Sequence, residues 1–487
     1  SSSSSPGRKK PRVIWLTLFF VTYSLAFGIA LVPRINLVVS LICRQTPLLD
    51  PDAPPVVVGG FNPQCQVDAV SAHTAMVQSA GNVVSGVLSM GMSAWLSALS
   101  DRVGRVKIVA YAAVVLMCVE VVLVALARAP EGTSYRWLFV AYTLDGLSGS
   151  FAVAMAMASA YISDCVDEEK RNVEVGRIHG SMFIGIAAGP AISSAIIAGT
   201  QEQSPLLVFY IGLAMRAVAI IYLLTCVAES LPSARKGFRS AFIPSATRWQ
   251  QITKPTRGIN AILIKLSKLN PVKWLDRLVP PGSPNSRARR RNVILLIGID
   301  IICYAGALST SDVLILYPQV VFKWGNVENN MFMSVVNGFR AIVSTLGIPV
   351  LIFLFQRRTP NHPLSAANLL VDPLDRTLIL TALLFDIFGY VGYAASPNGI
   401  LFTLCGAAAA FGAVGLSTSE AALTKSKVGE LMAGLGLLQS VVRIVAPAVV
   451  NVVYGATVAV GWPGIAFWGV AGVLGVGVAL TMGLAVG

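Results

Sequence analysis

Charged residues are scarce in this sequence. They make up 12% of its 487 residues, whereas hydrophobic residues account for 55% and the mean hydropathy is +0.71. Soluble domains carry about 25% charged residues. The shortage of charge therefore excludes the soluble globular class. It indicates an all-α polytopic membrane protein, because helices satisfy their own backbone polar groups within a bilayer.

Acidic residues are scarcer than basic ones, and the difference is confined to one region. The chain has 23 Asp and Glu against 37 Lys and Arg, which gives a net charge of +14. Between Leu231 and Arg291, fourteen basic residues accompany a single acid, Asp276. A basic loop between apolar stretches predicts the cytoplasmic side of a membrane and contact with anionic lipid headgroups. Nucleic acid is therefore not an expected partner.

Motifs for nucleotide, metal or covalent chemistry are missing. The sequence has no G-x-x-x-x-G-K-[ST] loop, so a pump driven directly by ATP is not expected. Its three histidines lack the spacing of metal ligands, and no nucleophile motif is found. The sequence therefore predicts that the protein is not an enzyme and needs no cofactor or metal.

Cysteine is also rare, and most of it lies in apolar sequence. Five of the seven cysteines fall in or next to apolar stretches, where they are expected to pack as small apolar residues. Cys43 and Cys65 differ because they flank a Pro-rich polar segment. That segment is expected to face outward, which favours a disulfide between them. Two free thiols are the alternative.

Apolar stretches long enough to cross a bilayer are abundant. About twelve follow one another, six before and six after the basic loop. The predicted organisation is a disordered cytoplasmic N-terminus at 1–12, an N-terminal six-helix bundle at 13–228, a basic cytoplasmic linker at 229–291 and a C-terminal six-helix bundle at 292–487. An even number of spans places both termini in the cytoplasm. We expect a monomer in the plasma membrane, with an internal membrane as the alternative.

The two halves echo each other, and the linker has a pattern of its own. Asp375-Arg376 follows the eighth apolar stretch as Asp101-Arg102 follows the second. Ala446-Pro447 in the eleventh stretch matches Gly189-Pro190 in the fifth. Repetition of this kind predicts two pseudo-symmetric halves. Within the linker, Ala261–Leu278 has the amphipathic pattern of an interfacial helix, with a disordered segment as the alternative.

The stretch Ser97–Lys107 carries the most specific pattern in the chain. It reads S-A-L-S-D-R-V-G-R-V-K and resembles the loop signature G-x-L-A-D-R-x-G-R-[RK] of the major facilitator superfamily, with Ser97 in place of the first Gly. The resemblance extends over the whole chain. It implies the major facilitator fold, with two pseudo-symmetric six-helix bundles and transport by alternating access between them.

Two further motifs resemble branches of that superfamily. Gly185-x-x-x-Gly189-Pro190 resembles the helix-packing motif in the fifth helix of drug:proton antiporters. Asp145–Ser150 resembles the proton-coupled folate transporter group and its fungal relatives. The sequence departs from both patterns, because Tyr142 stands where the antiporters have an Arg, and Ser181 where the folate group has a carboxylate. Neither branch's substrate is therefore carried over.

The loop motif predicts a gating latch at the inner face of the membrane. Gly104 permits a turn that a larger residue resists. Asp101 is suited to the positive N-terminal end of a neighbouring helix. Arg102 and Arg105 are expected to reach inner-face carboxylates such as Asp164 or Glu168. Charges that serve only to orient the chain in the membrane are the alternative.

Ionisable residues within apolar stretches are costly and therefore point to function. We expect Asp145 to couple transport to protons, because it lies in a stretch rich in Gly and Ser. The other proton-coupling candidates are Asp300, Asp312 and Glu120, and Asp386 is a further buried acid. The alternative for each is a carboxylate neutralised by a neighbouring Arg.

Arginines within the spans predict an anionic substrate, since a guanidinium group binds a carboxylate through two hydrogen bonds. Arg340, Arg443 and Arg216 are the candidates, and pairing of Arg340 or Arg443 with Asp300 or Asp386 is the alternative. Polar residues that could line a cavity are Tyr304, Asn337, Tyr390, Gln439, Gln78 and Asn82. Glu420 is expected to partner loop charges, and Arg34 is expected either to face the interior or to extend to the membrane surface.

These patterns together predict a proton-coupled secondary active transporter. It would move a small organic anion or amphipathic solute by alternating access, using protons and the bilayer as its partners. A broad drug:proton antiporter is one alternative, favoured by the fifth-helix motif. A membrane nutrient sensor that binds solute without transporting it is another.

Overall fold

The computed structural model describes residues 11–46, 55–130, 132–166, 168–200, 205–231, 286–343, 371–424 and 429–485. The helices before the linker are α1 (Val13–Cys43), α2 (Asp68–Val103), α3 (Arg105–Ala127), α4 (Leu138–Leu147), α5 (Ser150–Cys165), α6 (Glu168–Ala198) and α7 (Leu206–Cys226). Those after it are α8 (Ser286–Ser309), α9 (Val313–Val321), α10 (Asn326–Ile342), α11 (Pro373–Ala395), α12 (Gly399–Ala409), α13 (Ala413–Thr424), α14 (Gly429–Val458) and α15 (Ile465–Met482). The predicted helix Ala261–Leu278 lies outside the described residues.

All of the secondary structure in the described residues is helical, which confirms the predicted fold class. Ten stretches there are long and apolar enough to cross a bilayer. The pair α4 and α5, together with α10, continues the series toward about twelve spans. One boundary differs from the sequence prediction, because α8 begins at Ser286, inside the range predicted as the linker. Its basic first turns therefore extend a helix of the second half.

Three spans are interrupted, and two of the interruptions, at Ser150 and Asp312, contact the other half. Between α4 and α5, Gly149 has a φ of 73° and Ser150 a φ of 53°, both left-handed. The chain turns at Thr310–Asp312 between α8 and α9, and a short 3₁₀ segment at Ala410–Gly412 joins α12 to α13. A left-handed Ser costs about 1–3 kcal/mol and is maintained only by its surroundings. Helix interruptions at membrane depth occur where the chain lines a binding path.

Small residues bring α1 and α6 into close contact. A Cβ on Gly189 would lie 2.5 Å from the carbonyl carbon of Gly28, and a Cβ on Gly185 would meet the Ser24 hydroxyl. The predicted packing motif thus lies where the two helix backbones touch, which is how membrane helices associate without a hydrophobic driving force. Pro190 is inside α6, which continues to Ala198.

The halves meet along two pseudo-equivalent seams. In one seam α2 packs on α14, where the Ser79 hydroxyl donates to the carbonyl of Ala448 at 3.1 Å. In the other, α6 packs on α10, where the Ser334 hydroxyl donates to the carbonyl of Ala187 at 2.7 Å. Each seam joins one helix of each half, so the residues along it are the ones that separate when the halves move apart.

Candidate functional site

The loop motif forms a polar network at one end of the first half. Arg105 Nη2 lies 2.6 Å from Asp101 Oδ1, and its Nε lies 3.5 Å from Asp164 Oδ2. Arg105 also donates to the Ser100 hydroxyl. Asp101 is 65% exposed, and Arg102 is exposed as well. The side chain of Glu168 lies outside the described ones. The network joins α2, α3 and α5, all within the first half.

Glu229 completes this network, although the sequence prediction placed it in the linker. Its two carboxylate oxygens accept from the backbone N–H of Arg105 at 2.8 Å and of Val106 at 3.2 Å. These N–H groups begin α3, directly after Gly104, which has a φ of 117°. The first turn of α3 has no acidic residue of its own. The N–H groups of a first turn have no acceptor within their helix, so the sequence indicates that an acceptor comes from elsewhere in the chain.

Glu120 and Arg216 pair with each other. Arg216 Nη2 lies 2.9 Å from Glu120 Oε1, and the two side chains are 4% and 5% exposed. The guanidinium carbon of Arg216 also lies 5.3 Å from the centre of the Tyr23 ring. The pair joins α3 to α7 and corresponds to the alternative considered for each buried acid, neutralisation by a neighbouring Arg. The separate roles predicted for Glu120 in proton coupling and for Arg216 in substrate binding find no support in this geometry.

Asp300 and Glu420 share one hydrogen-bond donor in the second half. Gln439 Nε2 donates to Asp300 Oδ2 at 2.9 Å and to Glu420 Oε1 at 3.1 Å. Asp300 is fully buried and also accepts from the Ser419 hydroxyl at 3.0 Å. The expectation that Glu420 partners loop charges is therefore wrong for the described residues, because its carboxylate turns inward. We name Asp300, Glu420 and Gln439 the acid pair site.

Arg443 crosses from the second half to the first. Its Nη2 donates to the hydroxyl of Ser150 at 2.7 Å, at the interruption between α4 and α5. Pairing with Asp300 or Asp386 was the alternative for this arginine, and the structure shows neither pair. Arg443 follows Gln439 by four residues on α14, so the two side chains leave the same face of the helix one turn apart. The guanidinium group therefore lies close to the acid pair site without being paired to it.

Arg340 and Asp386 lie within electrostatic range of each other. The carboxylate of Asp386 packs on Gly412, in the 3₁₀ segment between α12 and α13. Any side chain at that glycine would displace the carboxylate. No ion pair among the described residues joins Arg340 to Asp386, so the anion-binding role of Arg340 stays a prediction.

Asp312 is held by both halves of the protein. Its Oδ2 accepts from Asn82 Nδ2 on α2 and from Asn451 Nδ2 on α14, both at 2.8 Å. Asp312 lies at the interruption between α8 and α9. A carboxylate from one half and an amide from the other lose this contact when the halves separate. Asp145, by contrast, accepts from Ser85 and stays within the first half.

Tyr142 packs on Gly81, the residue before the Asp312 donor Asn82, and Arg34 lies over the Tyr142 ring. The hydroxyl of Tyr142 donates to Gln78, and the guanidinium carbon of Arg34 lies 5.8 Å from the centre of the Tyr142 ring. Tyr142 is within electrostatic range of Arg34, Asp312 and Asp145. The antiporter branch has an Arg at the position of Tyr142, whereas here Arg34 of α1 lies beside Tyr142. Pro33 immediately before Arg34 was the sequence signal for a special position in α1.

Two predicted cavity residues are occupied by backbone hydrogen bonds. Tyr390 donates to the carbonyl of Gly306 at 2.7 Å and lies 3.1 Å from the Thr310 hydroxyl, which supports the interruption after α8. Asn337 Nδ2 donates to the carbonyl of Met333 within its own helix at 2.8 Å. In the described part of the chain, no three His, Cys, Asp or Glu side chains gather as a metal site would require.

The segment 55–66, which we name the strap, lies over one end of the contact between the halves. The disulfide Cys43–Cys65 fastens it to α1. Asn326 Nδ2 donates to the carbonyl of Gly59 at 2.8 Å, and Gln66 Nε2 donates to that of Trp324 at 2.7 Å. Beneath it, the amides of Asn36, Gln319 and Asn326 bond to one another. The strap and second half enclose a cavity of about 20 Å³, room for a single water.

The comparison with known families gives the same assignment as the loop motif and the two-half fold. The model of the Major Facilitator Superfamily matches residues 53–371, more than half of the chain. The chain belongs to this superfamily. Among curated proteins, the MFS-type transporter avaJ of Aspergillus versicolor is 23% identical over 459 residues, covering 92% of this chain and 84% of that protein.

Solved structures of facilitators share the fold. The human organic anion transporter MFSD10 superposes with a TM-score of 0.56 at 14% identity, covering 96% of this chain and 98% of that one. A POT family transporter bound to 5-aminolevulinic acid superposes with a TM-score of 0.60 at 14% identity, covering 97% of this chain and 95% of that one. At identities this low, the superpositions show only the fold of this facilitator. Its cargo has to be inferred from its own residues.

In a facilitator whose halves move apart, the strap is expected to hold the outer side closed. Replacing both Cys43 and Cys65 with Ser should therefore raise the rate at which an impermeant maleimide labels Cys introduced at the buried position Asn329, in a background without the other five cysteines. We expect an increase of about 5- to 30-fold, because a strap that is no longer fastened to α1 loses one or two of its hydrogen bonds to the second half, at about 1 kcal/mol each. The same background with the disulfide intact is the control. Equal labelling rates would contradict the role of the strap.

Proposed function

We propose that this facilitator is a proton-coupled secondary active transporter that moves a small organic anion by alternating access. The observation that carries the proposal is the arrangement on α14, where Gln439, which donates to both acids, lies one turn before Arg443, whose guanidinium group donates to the neutral hydroxyl of Ser150. Protonation at the acids and anion binding at the arginine therefore affect each other.

The acid pair site is suited to holding a proton. Asp300 and Glu420 each approach the same Gln439 amide nitrogen, at 2.9 Å and 3.1 Å, so their oxygens are close together. Like charges at such a separation disfavour two ionised carboxylates, and burial adds to that cost. A pair of this kind retains one proton and releases it when its surroundings become wet.

Arg443 is suited to the anionic cargo. Its hydrogen bond goes to the neutral hydroxyl of Ser150, which a carboxylate replaces with a charge-assisted bond that is roughly twice as strong. When the acid pair site carries its proton, it competes weakly for Arg443 and the cargo stays bound. Loss of the proton makes the pair more attractive to the guanidinium group and favours release of the cargo. This order moves proton and anion in the same direction.

Orientation and alternatives follow from the same residues. We place both termini in the cytoplasm and the basic linker against anionic headgroups of the plasma membrane, and we expect the protein to act as a monomer. MFSD10, a human protein of the same fold, is an organic anion transporter. A drug:proton antiporter remains the second candidate, because Gly185 and Gly189 pack on α1 through the motif that its branch carries.

A ligand screen followed by flux measurement tests the proposal. Purified protein is screened by thermal shift against organic acids, folates and drugs at two pH values, and hits are measured in proteoliposomes with an imposed pH gradient. We expect organic acids to stabilise the protein more strongly at the lower pH and to be taken up with protons. Binding of a hit without any flux would instead indicate a sensor.

Arg443→Gln should weaken binding of the acid found in the screen by about 10- to 150-fold, the value of a hydrogen bond to a charged group. Arg340→Gln should weaken it less, since Arg340 already lies near Asp386. The control is Arg177→Gln, because Arg177 forms an exposed pair with Glu174 at 2.5 Å within α6. Affinity unchanged in both span variants would remove the argument for an anionic cargo.

A further inference from the structure

The second oxygen of Asp312 has no donor among the described residues. Both amide donors, from Asn82 and Asn451, converge on Oδ2 at 2.8 Å. Oδ1 receives no hydrogen bond from the described part of the chain. An ionised carboxylate offers about four acceptor positions, so half of this group's capacity is unused at a point where the two halves meet.

Asn451 presents a second acceptor at the same place. The residue is fully buried, and its Nδ2 is already committed to Asp312. Its Oδ1 is buried without a donor in the described part of the chain. Buried polar atoms are normally hydrogen-bonded, and a buried orphan carries the full cost of its lost hydration. A carboxylate oxygen and an amide oxygen at one centre thus both lack a donor.

The nearby donors of the protein are engaged elsewhere. The Tyr142 hydroxyl donates to Gln78. The guanidinium group of Arg34 lies over the Tyr142 ring, and none of the ion pairs among the described residues joins it to Asp312. Asn82 donates to the oxygen that is already satisfied. No side chain in the described part of the chain therefore supplies the missing donor.

We propose that Asp312 and Asn451 bind an ammonium group of the cargo, so that the cargo is an amphoteric amino compound rather than a simple organic acid. An ammonium group has three donors and no acceptor, which matches two acceptors that lack donors. Its charge complements Asp312, whereas a carboxylate would be repelled there. This inference rests on the proposed function only for the anionic end of the cargo.

The spacing of the charges selects the probe. Asn451 and Arg443 lie on the same helix, α14, roughly two turns apart, or about 12 Å along its axis at 1.5 Å per residue. The arginine side chain shortens that distance. A cargo that reaches both has its amine and carboxylate separated by several bonds, as in an ω-amino acid.

Three probes of equal length separate the possibilities: 6-aminohexanoate, hexanoate and hexylammonium. Their binding to the protein in nanodiscs is measured by saturation-transfer NMR up to about 50 mM, which covers the weak affinities of small ligands. We expect 6-aminohexanoate to bind at least about tenfold more tightly than hexanoate. Equal or tighter binding of hexanoate overturns the ammonium site and leaves the proposed anion transport standing. No binding of either amino compound also overturns it.

Two variants assign the effect to the site. Asp312→Asn keeps an acceptor for both amides and should remove the preference for 6-aminohexanoate over hexanoate without changing hexanoate binding. Asn451→Leu should reduce that preference about three- to tenfold. Ser79→Ala, which loses another hydrogen bond between α2 and α14, is the matched control and should change neither affinity.

A merely structural role for Asp312 would weaken both probes by the same factor, and that result overturns the proposal. Displacement of hexylammonium by sodium chloride at equal concentration would also overturn the ammonium site, because the site would then prefer an inorganic cation. These outcomes are independent of proton-driven flux, which tests the proposed function separately.

Discussion

Asp300→Asn is expected to reduce proton-driven accumulation of the cargo strongly while exchange of cargo across the membrane continues. The asparagine mimics a protonated acid and cannot release a proton. The acid pair site would then lose its coupled titration, because Glu420 would face a neutral amide across Gln439. Accumulation should fall by about 5- to 150-fold, the range of coupling free energies of about 1–3 kcal/mol.

The comparison of two assays makes this result specific. Proteoliposomes with an imposed pH gradient report accumulation, and liposomes preloaded with unlabelled cargo report exchange. Ser419→Ala is the matched control, since it removes the 3.0 Å hydrogen bond to Asp300 and keeps the carboxylate. Loss of both accumulation and exchange would mean that Asp300 supports the fold or the cargo site. Full accumulation by the Asn variant would contradict the coupling role of Asp300. It would indicate another of the predicted acids, such as Asp145 or Asp312, in its place.

Glu120→Gln and Arg216→Gln are each expected to destabilise the protein strongly. Both side chains are almost fully buried in the span region, and removing one partner leaves an uncompensated charge. Breaking a buried pair in this way costs about 3–5 kcal/mol. We therefore expect a lower midpoint of thermal unfolding in detergent for each variant, with less protein eluting as a single species.

Replacing both residues at once distinguishes structure from function. Glu120→Leu combined with Arg216→Met removes both charges, and pairs replaced in this way are often neutral or more stable. The double variant should therefore regain the unfolding midpoint of the native protein and transport normally. A double variant that folds with an unchanged midpoint but no longer transports would restore the functional roles predicted for the two residues from the sequence.

The sequence predicted the architecture because the bilayer imposes length and apolarity on every span. The loop motif and the repetition between the halves then identified the family. Gly185 and Gly189 were recognisable as packing positions, but their partner Gly28 lies in α1 and carries no motif. Patterns along the chain thus predicted which helices exist and which residues are unusual. They did not predict which residues meet.

Partners across the fold explain most of the differences between sequence and structure. Asn82 and Asp312 are 230 residues apart, and Ser150 and Arg443 are 293 apart. No local rule connects such positions. The sequence pattern favoured Asp145 among the acids in the spans, whereas the structure separates Glu120, which is neutralised by Arg216, from Asp312, which is shared between the halves. Arg34 was undervalued for the same reason, because its neighbour Tyr142 lies on another helix.

Ser150 gives this facilitator an energetic preference between its conformations. Its left-handed backbone, with a φ of 53°, is occupied while Arg443 holds its hydroxyl. A residue in that conformation stores about 1–3 kcal/mol, which relaxation after the departure of Arg443 would return. The hydrogen bond that joins the two halves at Ser150 thus also maintains a strained backbone, and this strain favours the conformation in which the bond is broken. One serine can in this way shift the resting ratio of the two conformations by roughly 5- to 150-fold.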